Sequence, residues 1–407
     1  MLSEQSAATV RATLPTVGGA LGEISDRFYA GLFSAHPELL RDLFNRGNQS
    51  SGTQRQALAG AFAAFAAQLI ERPDVRPDAM LNRIANKHAS LGIAPEQYPV
   101  VHKYLFAAIV DVLGEAITPA VASAWTEVYW LMANALIAVE KRLYAASEAD
   151  GLGGWRAWEV VERVEETADV ATFLVRPADG APAPGFRPGQ YISVRVELPD
   201  GARQARQYSL AGAPGRPGAP ASSVRRIGVK RVHGDSAPDG EVSNHLHARV
   251  EVGSTLELSA PYGDLVLDAD SRTPVLLASA GIGVTPMIAM LEQLVVTGHQ
   301  APVTVVHADR SPAEHALREE HEAYAAKLGD AMTHFWYEQP EPGHPADRTG
   351  LVDLSAVAVA SGTRAYLCGP LPFMRAVRGQ LIEKGVAPAD IHYEVFGPDL
   401  WLAETQN

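Results

Sequence analysis

A short segment in the middle of the chain carries the residue types that bind a phosphorylated aromatic cofactor. The run Arg206–Leu210 (Arg-Gln-Tyr-Ser-Leu) brings together a guanidinium, an aromatic ring and a hydroxyl. Alternate side chains of a strand share a face, and we expect Arg206, Tyr208 and Ser209 to point to one side. Arg206 would bind phosphate, Tyr208 would stack on a flavin ring, and Ser209 would bond the isoalloxazine or ribityl edge. An ordinary surface strand is the alternative interpretation.

A glycine-rich turn in the last third predicts a nucleotide site. Residues 273–279 form a nearly continuous apolar run, which is typical of a buried parallel strand. The turn that follows, before a predicted helix, would let the backbone approach a pyrophosphate that faces the positive end of that helix. A lone Gly-x-Gly is a weak signal, but its place between strand and helix makes it specific. The candidate residues are Gly281, Ile282, Gly283, Val284, Thr285 and Pro286.

The end of the next predicted strand is where the adenosine ribose is expected. Asp309 could accept a hydrogen bond from a 2′-hydroxyl, which favours NADH. Arg310 could hold a 2′-phosphate, which favours NADPH. Because both residues are present, the sequence favours NADH only weakly.

Composition and charge narrow the classes of partner. A chain of 407 residues is too long for one core and predicts two or three domains. The net charge of −13 argues against nucleic acid and anionic membrane surfaces as partners. One cysteine, Cys368, cannot form an intrachain disulfide, which fits a reducing cytoplasm. We expect a cytoplasmic protein, because the amino terminus lacks the pattern of a signal peptide and no apolar window is long enough for a membrane anchor.

The secondary-structure pattern changes twice along the chain. Residues 1–147 show helical periodicity and almost no strand signal, and residues 148–156 are a glycine-rich linker. Residues 157–270 contain short β-rich runs separated by Pro, Gly and Asp, which indicate a small antiparallel β-barrel. Residues 271–407 alternate strands and helices, as an α/β domain with a parallel sheet does. The predicted protein is therefore a multidomain chain with one all-α, one antiparallel β and one parallel α/β domain.

Four candidate site residues lie on successive helical elements of the first segment: Tyr29, Phe44, Gln54 and His88. Taken alone, His88 fits a surface or hydrogen-bonded core histidine better than a metal ligand. The neighbouring residues add specificity, and the matching runs are Phe28-Tyr29, Leu43-Phe44-Asn45, Asn48-Gln49, Gln54-Arg55-Gln56-Ala57-Leu58 and Lys87-His88. In this order they resemble the globin domain of the flavohaemoglobin family.

This resemblance implies a role for each of those residues. His88 would be the haem iron ligand, Phe44 would pack against the haem, and Tyr29 and Gln54 would hold dioxygen on the distal side. In the family, the residues that match Tyr98 and Glu140 bind the other nitrogen of the ligand imidazole, which orients it and strengthens its donation to iron. For Glu140 the alternative is a solvated charge.

The two remaining segments resemble the ferredoxin–NADP reductase superfamily. For the flavin, the resemblance implies a ring and phosphate site at Tyr191, Arg206, Gln207, Tyr208 and Ser209, and a pyrophosphate site at Gly240, Val242 and Ser243. A plain capped helix is the alternative for the second of these. For the nicotinamide, the resemblance implies binding by the turn at residues 281–286, where Val284 replaces the family's usual Gln. It also implies a second contact at Cys368, Gly369 and Pro370. For Cys368 the alternative is a small buried hydrophobe.

The end of the chain adds a third contact with the cofactors. In the superfamily the terminal strand returns to the flavin, which implies contacts by Val395, Phe396, Gly397 and Pro398, with Phe396 against the ring. Val395 stands where the relatives often have Cys. We also expect Glu394 to face Lys87 between flavin and haem, where the two charges would tune both potentials.

The resemblance covers essentially the whole chain and implies nitric oxide dioxygenation, with NO and O2 as substrates and haem b, FAD and NADH or NADPH as cofactors. We expect a monomer, and we leave open a lipid or azole in the distal haem pocket. Two alternatives remain. One is a plain flavin or ferric reductase without haem, and the other is a gas-binding sensor whose reductase only resets it.

Overall fold

The architecture comes from a computed structural model that describes residues 2–149, 154–183, 185–214, 224–234, 238–267, 272–340 and 348–398. The chain divides into two compact units. The first comprises 1–154, 196–205 and 397–407, and the second comprises 155–195 and 206–396. Within the described ranges, no helix has the length and apolar character needed to cross a bilayer.

The first unit is built on seven α-helices. A serine, Ser3, caps the first helix by accepting a hydrogen bond from a backbone N–H, and the helix ends just before Pro37. Ile24, Phe28 and Leu32 recur at helical spacing and are buried in the core of this unit. The helices are α1 (Glu4–Ala35), α2 (Pro37–Asp42), α3 (Arg46–Ser50), α4 (Thr53–Glu71), α5 (Asp78–Leu91), α6 (Gln97–Leu113) and α7 (Pro119–Ala149).

An antiparallel six-stranded sheet follows. Its order is β4-β3-β6-β1-β2-β5. A bridge between Leu210 and Ile227 joins the two edge strands, which closes the sheet into the expected barrel. The elements are β1 (Arg156–Glu165), β2 (Val170–Pro177), β3 (Tyr191–Glu197), β4 (Arg203–Ser209), β5 (Arg225–Lys230), α8 (Glu241–Arg249) and β6 (Thr255–Leu258).

The last part of the chain forms a parallel six-stranded sheet in the order β10-β9-β8-β7-β11-β12. Strands β8, β9 and β10 lie on one side of β7, and β11 and β12 lie on its other side. The strand order therefore reverses between β7 and β11. Ligands of such sheets bind at the carboxyl ends of the strands on either side of this point. The elements are β7 (Val275–Ala280), α9 (Val284–Val296), β8 (Val303–Asp309), α10 (Arg318–Ala325), β9 (Ala331–Tyr337), β10 (Arg348–Thr349), β11 (Arg364–Cys368), α11 (Leu371–Glu383) and β12 (Ile391–Glu394).

Side-chain contacts hold the two sheets together within the second unit. Arg226 of β5 is buried and forms a bidentate ion pair with Glu320 of α10 at 2.5 and 2.8 Å. A Cβ added at Gly228 of β5 would lie only 2.8 Å from Thr285 of α9, so this strand and this helix approach closely. The predicted fold class is therefore confirmed. The predicted domain bounds remain a prediction, because residues 150–153 of the linker lie outside the described residues.

Candidate functional site

A histidine, a tyrosine and a carboxylate meet inside the helical unit. The His88 ring on α5 lies with Nδ1 2.8 Å from Glu140 Oε1 on α7 and 3.0 Å from the Tyr98 hydroxyl on α6. The Tyr98 hydroxyl also donates to Glu140 Oε1 at 2.6 Å. Glu140 is only 2% exposed, so its interpretation as a solvated charge is wrong. Three separate helices thus bring together three residues that the sequence linked only by resemblance.

This arrangement determines what the His88 ring can do. Both polar contacts use Nδ1, so Nε2 is the nitrogen that can donate to a metal. A carboxylate on the far nitrogen fixes the tautomer and raises the basicity of the ligand nitrogen. Burial, followed by the interaction with Glu140, raises the pKa of Tyr98, which therefore stays protonated and donates its hydrogen to the carboxylate. The residues fit the proximal side of a haem.

The distal candidates Tyr29 and Gln54 also come together. Burial raises the pKa of the Tyr29 hydroxyl, opposed by hydrogen bonds with Gln54 and Gln49 and by the charge of Arg55. The hydroxyl therefore remains a proton donor. Phe44 packs edge-on against the Tyr29 ring, with centroids 5.8 Å apart. Gln49 was not predicted as a site residue, and its side chain hydrogen-bonds with the same Tyr29 hydroxyl as Gln54.

The turn that carries Phe44 is held by Gln204, a residue that the sequence did not single out. Gln204 is 1% exposed, and its Nε2 donates to the carbonyl oxygens of Arg41 at 2.9 Å and Phe44 at 3.1 Å. Nearby, Arg46 pairs with Asp200 at 2.6 Å. These contacts lie within the first compact unit, which includes residues 196–205. A buried Gln in a strand gives no pattern from which such a role could be predicted.

The flavin candidates on β4 differ in their surroundings. Tyr208 is half-buried, and burial raises the pKa of its hydroxyl while Arg206 opposes that shift. The Gln207 amide donates to Ser193 Oγ at 2.9 Å. Ser209 directly follows Tyr208 and is 3% exposed, so alternation assigns it to the opposite side of the strand. The expectation that Arg206, Tyr208 and Ser209 share one face is therefore wrong for Ser209.

The surroundings of Ser209 nevertheless suit a bound polar group. Its Oγ is buried and has no hydrogen-bond partner among the described residues. Buried hydroxyls are nearly always hydrogen-bonded, so this atom fits a site completed by a ligand. Tyr191, on the adjacent strand β3, is also buried and pairs with Tyr262.

The start of α8 fits the predicted pyrophosphate site. A Cβ at Gly240 would lie 2.7 Å from Ser243 Oγ and 2.8 Å from Val232, so only glycine allows this close approach. Ser243 Oγ donates to the Gly240 carbonyl and accepts from Val232 N–H. The hydroxyl is therefore occupied by the turn, and the backbone N–H groups of the first helical turn, including that of the buried Val242, are the groups that can face an anion.

The two predicted nicotinamide motifs meet at the point where the strand order reverses. A Cβ at Gly283 would lie 2.2 Å from the Cys368 carbonyl oxygen, so the turn after β7 packs directly on the end of β11. Thr285 donates from Oγ1 to the Ile282 carbonyl at 2.9 Å, which closes the turn before α9. Cys368 is fully buried, and its pKa is raised by burial and by Glu394, its partner in the adjacent strand β12. Gly369 and Pro370 follow at the same edge of the sheet.

The ribose candidates are oriented differently from the expectation. The Asp309 side chain is 4% exposed, with Oδ2 3.6 Å from His307 Nε2. Its Oδ1 accepts from the N–H of Arg310, and the exposed Arg310 side chain pairs with Glu314 at 2.6 Å. The Asp309 carboxylate thus faces the interior, and its placement does not support the argument for NADH.

Comparison with known proteins accounts for these sites together. Family models match in chain order: globin over residues 26–136, oxidoreductase FAD-binding domain over 157–267 and oxidoreductase NAD-binding domain over 277–379. The flavohemoprotein of Rhizobium meliloti is 42% identical and covers 98% of this chain and 100% of its own. That of Bordetella pertussis is 44% identical over 98% and 99%. The chain belongs to the flavohaemoprotein family.

Solved structures agree with this assignment. The flavohemoglobin of Malassezia yamatoensis, determined with bound FAD and heme, superposes with a TM-score of 0.87 at 37% identity and covers 97% of this chain and 100% of its own. The FAD/NAD-binding part of a nitric oxide dioxygenase from Vibrio cholerae has a TM-score of 0.55 at 38% identity, and covers 60% of this chain and 99% of its own. This flavohaemoprotein is therefore an oxidoreductase with globin, FAD-binding and NAD-binding domains.

The terminal strand of this flavohaemoprotein leads to its last candidates. Glu394 is buried at the end of β12, and Phe396 is 44% exposed shortly after it. Val395, Gly397 and Pro398 are partly buried. Lys87, on α5, belongs to the other compact unit. The pairing of Lys87 with Glu394 therefore remains a prediction.

Proposed function

We propose that this flavohaemoprotein is a nitric oxide dioxygenase that converts NO and O2 to nitrate with electrons from NAD(P)H. The cofactors are haem, FAD and a nicotinamide dinucleotide. When bound, they supply hydride acceptance, one-electron transfer and dioxygen chemistry. The flavin is required because the nicotinamide gives two electrons together, whereas each NO converted to nitrate takes one.

The observation that carries the proposal is the hydrogen bond of 2.8 Å between His88 Nδ1 and the buried carboxylate of Glu140. A neutral acceptor on the far nitrogen would be enough to orient an imidazole for oxygen storage. A carboxylate gives the ring partial imidazolate character and strengthens its donation to iron, which favours O–O activation. Glu140 would thus orient the His88 ring and strengthen its donation to iron, and Tyr98 would hold the carboxylate in place.

The distal residues complete the proposed division of work. Tyr29 stays protonated and would donate a hydrogen bond to the bound substrate, and Gln54 would orient the Tyr29 hydroxyl. Phe44 would pack against the porphyrin and keep water out. His88 would be the protein ligand of the haem iron.

The reductase residues would hold the other two cofactors. Tyr191, Arg206, Gln207, Tyr208 and Ser209 would bind the flavin ring and phosphate, and the N–H groups at Gly240, Val242 and Ser243 its pyrophosphate. The turn from Gly281 to Pro286 and the segment Cys368–Pro370 would bind the nicotinamide dinucleotide. Val395, Phe396, Gly397 and Pro398 would cover the flavin, and Lys87 and Glu394 would tune the two potentials. We propose a cytoplasmic monomer.

The test is NO consumption by the purified holoprotein. With NADH or NADPH and air, we expect rapid loss of NO and formation of one nitrate per NO consumed. Omitting either O2 or the nucleotide should stop nitrate formation. Slow NO consumption despite fast haem reduction would contradict the proposal and indicate a gas sensor. A spectrum with flavin bands and no Soret band would indicate a plain flavin reductase.

A further inference from the structure

Three buried histidines form a cluster in the nucleotide-binding part of the chain, beside the strand end that carries Asp309. His307 lies in β8, His315 follows a short 3-10 helix, and His321 lies in α10. Each offers a ring nitrogen, and these atoms all lie within 4.8 Å of one another. All three rings are less than 5% exposed. None of the three histidines is among the predicted site residues.

The polar contacts of the rings leave suitable nitrogens pointing inward. His307 Nδ1 lies 2.8 Å from Ser279 Oγ, and His315 Nδ1 lies 2.8 Å from the Tyr337 hydroxyl. Such contacts on the outer nitrogen are what metal-binding histidines normally make. The inner nitrogens are then Nε2 of His307 and Nε2 of His315, the latter 3.2 Å from Nδ1 of His321.

A carboxylate completes the set. Asp309 Oδ2 lies 3.6 Å from His307 Nε2, and the side chain is 4% exposed. Among the described residues, neither Asp309 Oδ2 nor His307 Nε2 has a hydrogen-bond partner. The two atoms form a long ion pair with each other, and an ion bound between them would give each a closer partner.

The protonation of the cluster leaves its lone pairs available. Burial lowers the pKa of His307, although Asp309 acts in the opposite direction, and burial lowers the pKa of His315 and His321 well below the usual range. The other charges acting on the cluster are the cations Arg318 and Lys230, which also disfavour protonated rings. Metal ions bind the neutral imidazole, so the lowered pKa values of these rings favour metal binding.

We propose that His307, His315, His321 and Asp309 form a binding site for a divalent transition-metal ion, with zinc the preferred occupant. Three imidazoles and one carboxylate are a donor set that zinc accepts in tetrahedral geometry. Bonds of about 2.0–2.1 Å place tetrahedral ligand atoms roughly 3.4 Å apart. Two of the separations, 3.2 and 3.6 Å, are close to this value, and the three ring nitrogens lie within 4.8 Å of one another. The rings of His307 and His315 are stacked at 3.8 Å, and one of them must tilt to bring both nitrogens to the ion.

The position of the site indicates what the ion would do. It would join the end of β8 to α10 and fix the segment between them. That segment contains Leu317, whose φ of 58° is a conformation that a leucine adopts only when the surrounding structure holds it there. The ion would also hold the Asp309 carboxylate inward, at the strand end where the ribose was expected. We therefore infer a structural metal site, separate from the haem iron.

The test uses the full-length holoprotein after dialysis against a chelator. We compare it with His321→Gln, which removes one ligand but keeps a polar side chain, and with His334→Gln, a half-buried histidine outside the cluster. After addition of equimolar ZnCl2 and gel filtration, metal analysis should find one zinc per chain in the parent and in His334→Gln. It should find at least tenfold less zinc in His321→Gln with unchanged flavin content. Zinc should also raise the Tm of the first two proteins only.

X-ray absorption at the zinc edge then identifies the ligands. We expect three imidazoles and one oxygen at about 2.0 Å. If zinc does not bind to the parent, the histidines are a neutral hydrogen-bonded core cluster and the proposal is wrong. Equal zinc retention by His321→Gln would place the metal elsewhere and would equally overturn it. Neither result depends on NO dioxygenase activity.

Discussion

The protein uses histidine in two opposite ways. His88 is about one-third exposed and has a carboxylate and a phenol on Nδ1. His307, His315 and His321 are buried against one another, and their contacts are mainly hydroxyl groups and other imidazoles. At the first site, an anion strengthens one nitrogen as a donor. At the second, burial lowers the pKa of all three imidazoles. The surroundings therefore decide whether a histidine is suited to one strong bond to a metal or to sharing an ion with other histidines.

The largest expected effect is at the first site. His88→Ala removes the only proposed iron ligand, and we expect complete loss of the Soret band in absorption spectra. Reduction of the flavin by NADH should be unchanged, because the proposed flavin residues on β3, β4 and α8 and the proposed nicotinamide residues are in the other compact unit. His36→Ala, which changes a partly exposed histidine of the same helical unit, is the control and should keep the Soret band. If His88→Ala folds and binds FAD but loses flavin reduction as well, the proposed division of labour is wrong.

Acid should act mainly on the second site. A histidine whose pKa is lowered in the folded state binds a proton more readily when unfolded, so stability falls as the pH decreases below about 6.5. Each such group contributes at most about 1.4 kcal/mol per pH unit, and three together at most roughly 4 kcal/mol per pH unit. Urea unfolding of the metal-free protein between about pH 7 and 5 measures this slope, which should decrease in His321→Gln. An equal slope in both proteins would show that other groups dominate acid unfolding.

Replacing the Glu140 carboxylate tests the feature that distinguishes the His88 site from the cluster of three histidines. Glu140→Gln keeps the size of the side chain but removes its charge, so His88 should donate less strongly to iron. We expect NO consumption to fall by roughly 10–100-fold, with a lower iron–histidine stretching frequency in Raman spectra. Tyr98→Phe, which leaves the carboxylate charge in place, should have a smaller effect. An unchanged stretching frequency in Glu140→Gln would show that Glu140 only positions the ring.

The sequence predicted these sites unequally, for physical reasons. Strand and helix periodicity and the glycine turn at Gly283 are local signals, and they predicted the three-part fold and the nucleotide edge. The contact of His88 with Glu140 joins residues far apart in sequence, so only the family resemblance suggested it. The Asp309 carboxylate lies against the buried ring of His307, and the sequence does not show that this strand end turns inward. Gln204 was missed for the same reason, since its partners are backbone carbonyls.

The smallest expected effect is that of changing Tyr29, which we propose lies on the opposite side of the haem from His88. Tyr29→Phe removes the buried hydroxyl that hydrogen-bonds with Gln54 and keeps the ring that packs on Phe44. Loss of one hydrogen bond costs roughly 0.5–1.5 kcal/mol, so we expect the dissociation rate of dioxygen to rise by up to about tenfold. Tyr104→Phe, in the same helical unit, is the matched control. Stopped-flow dissociation measurements give both rates, and equal rates in Tyr29→Phe and the parent would remove Tyr29 from the distal site. Retained flavin reduction in both variants would show that the change acts only on the gas-binding step.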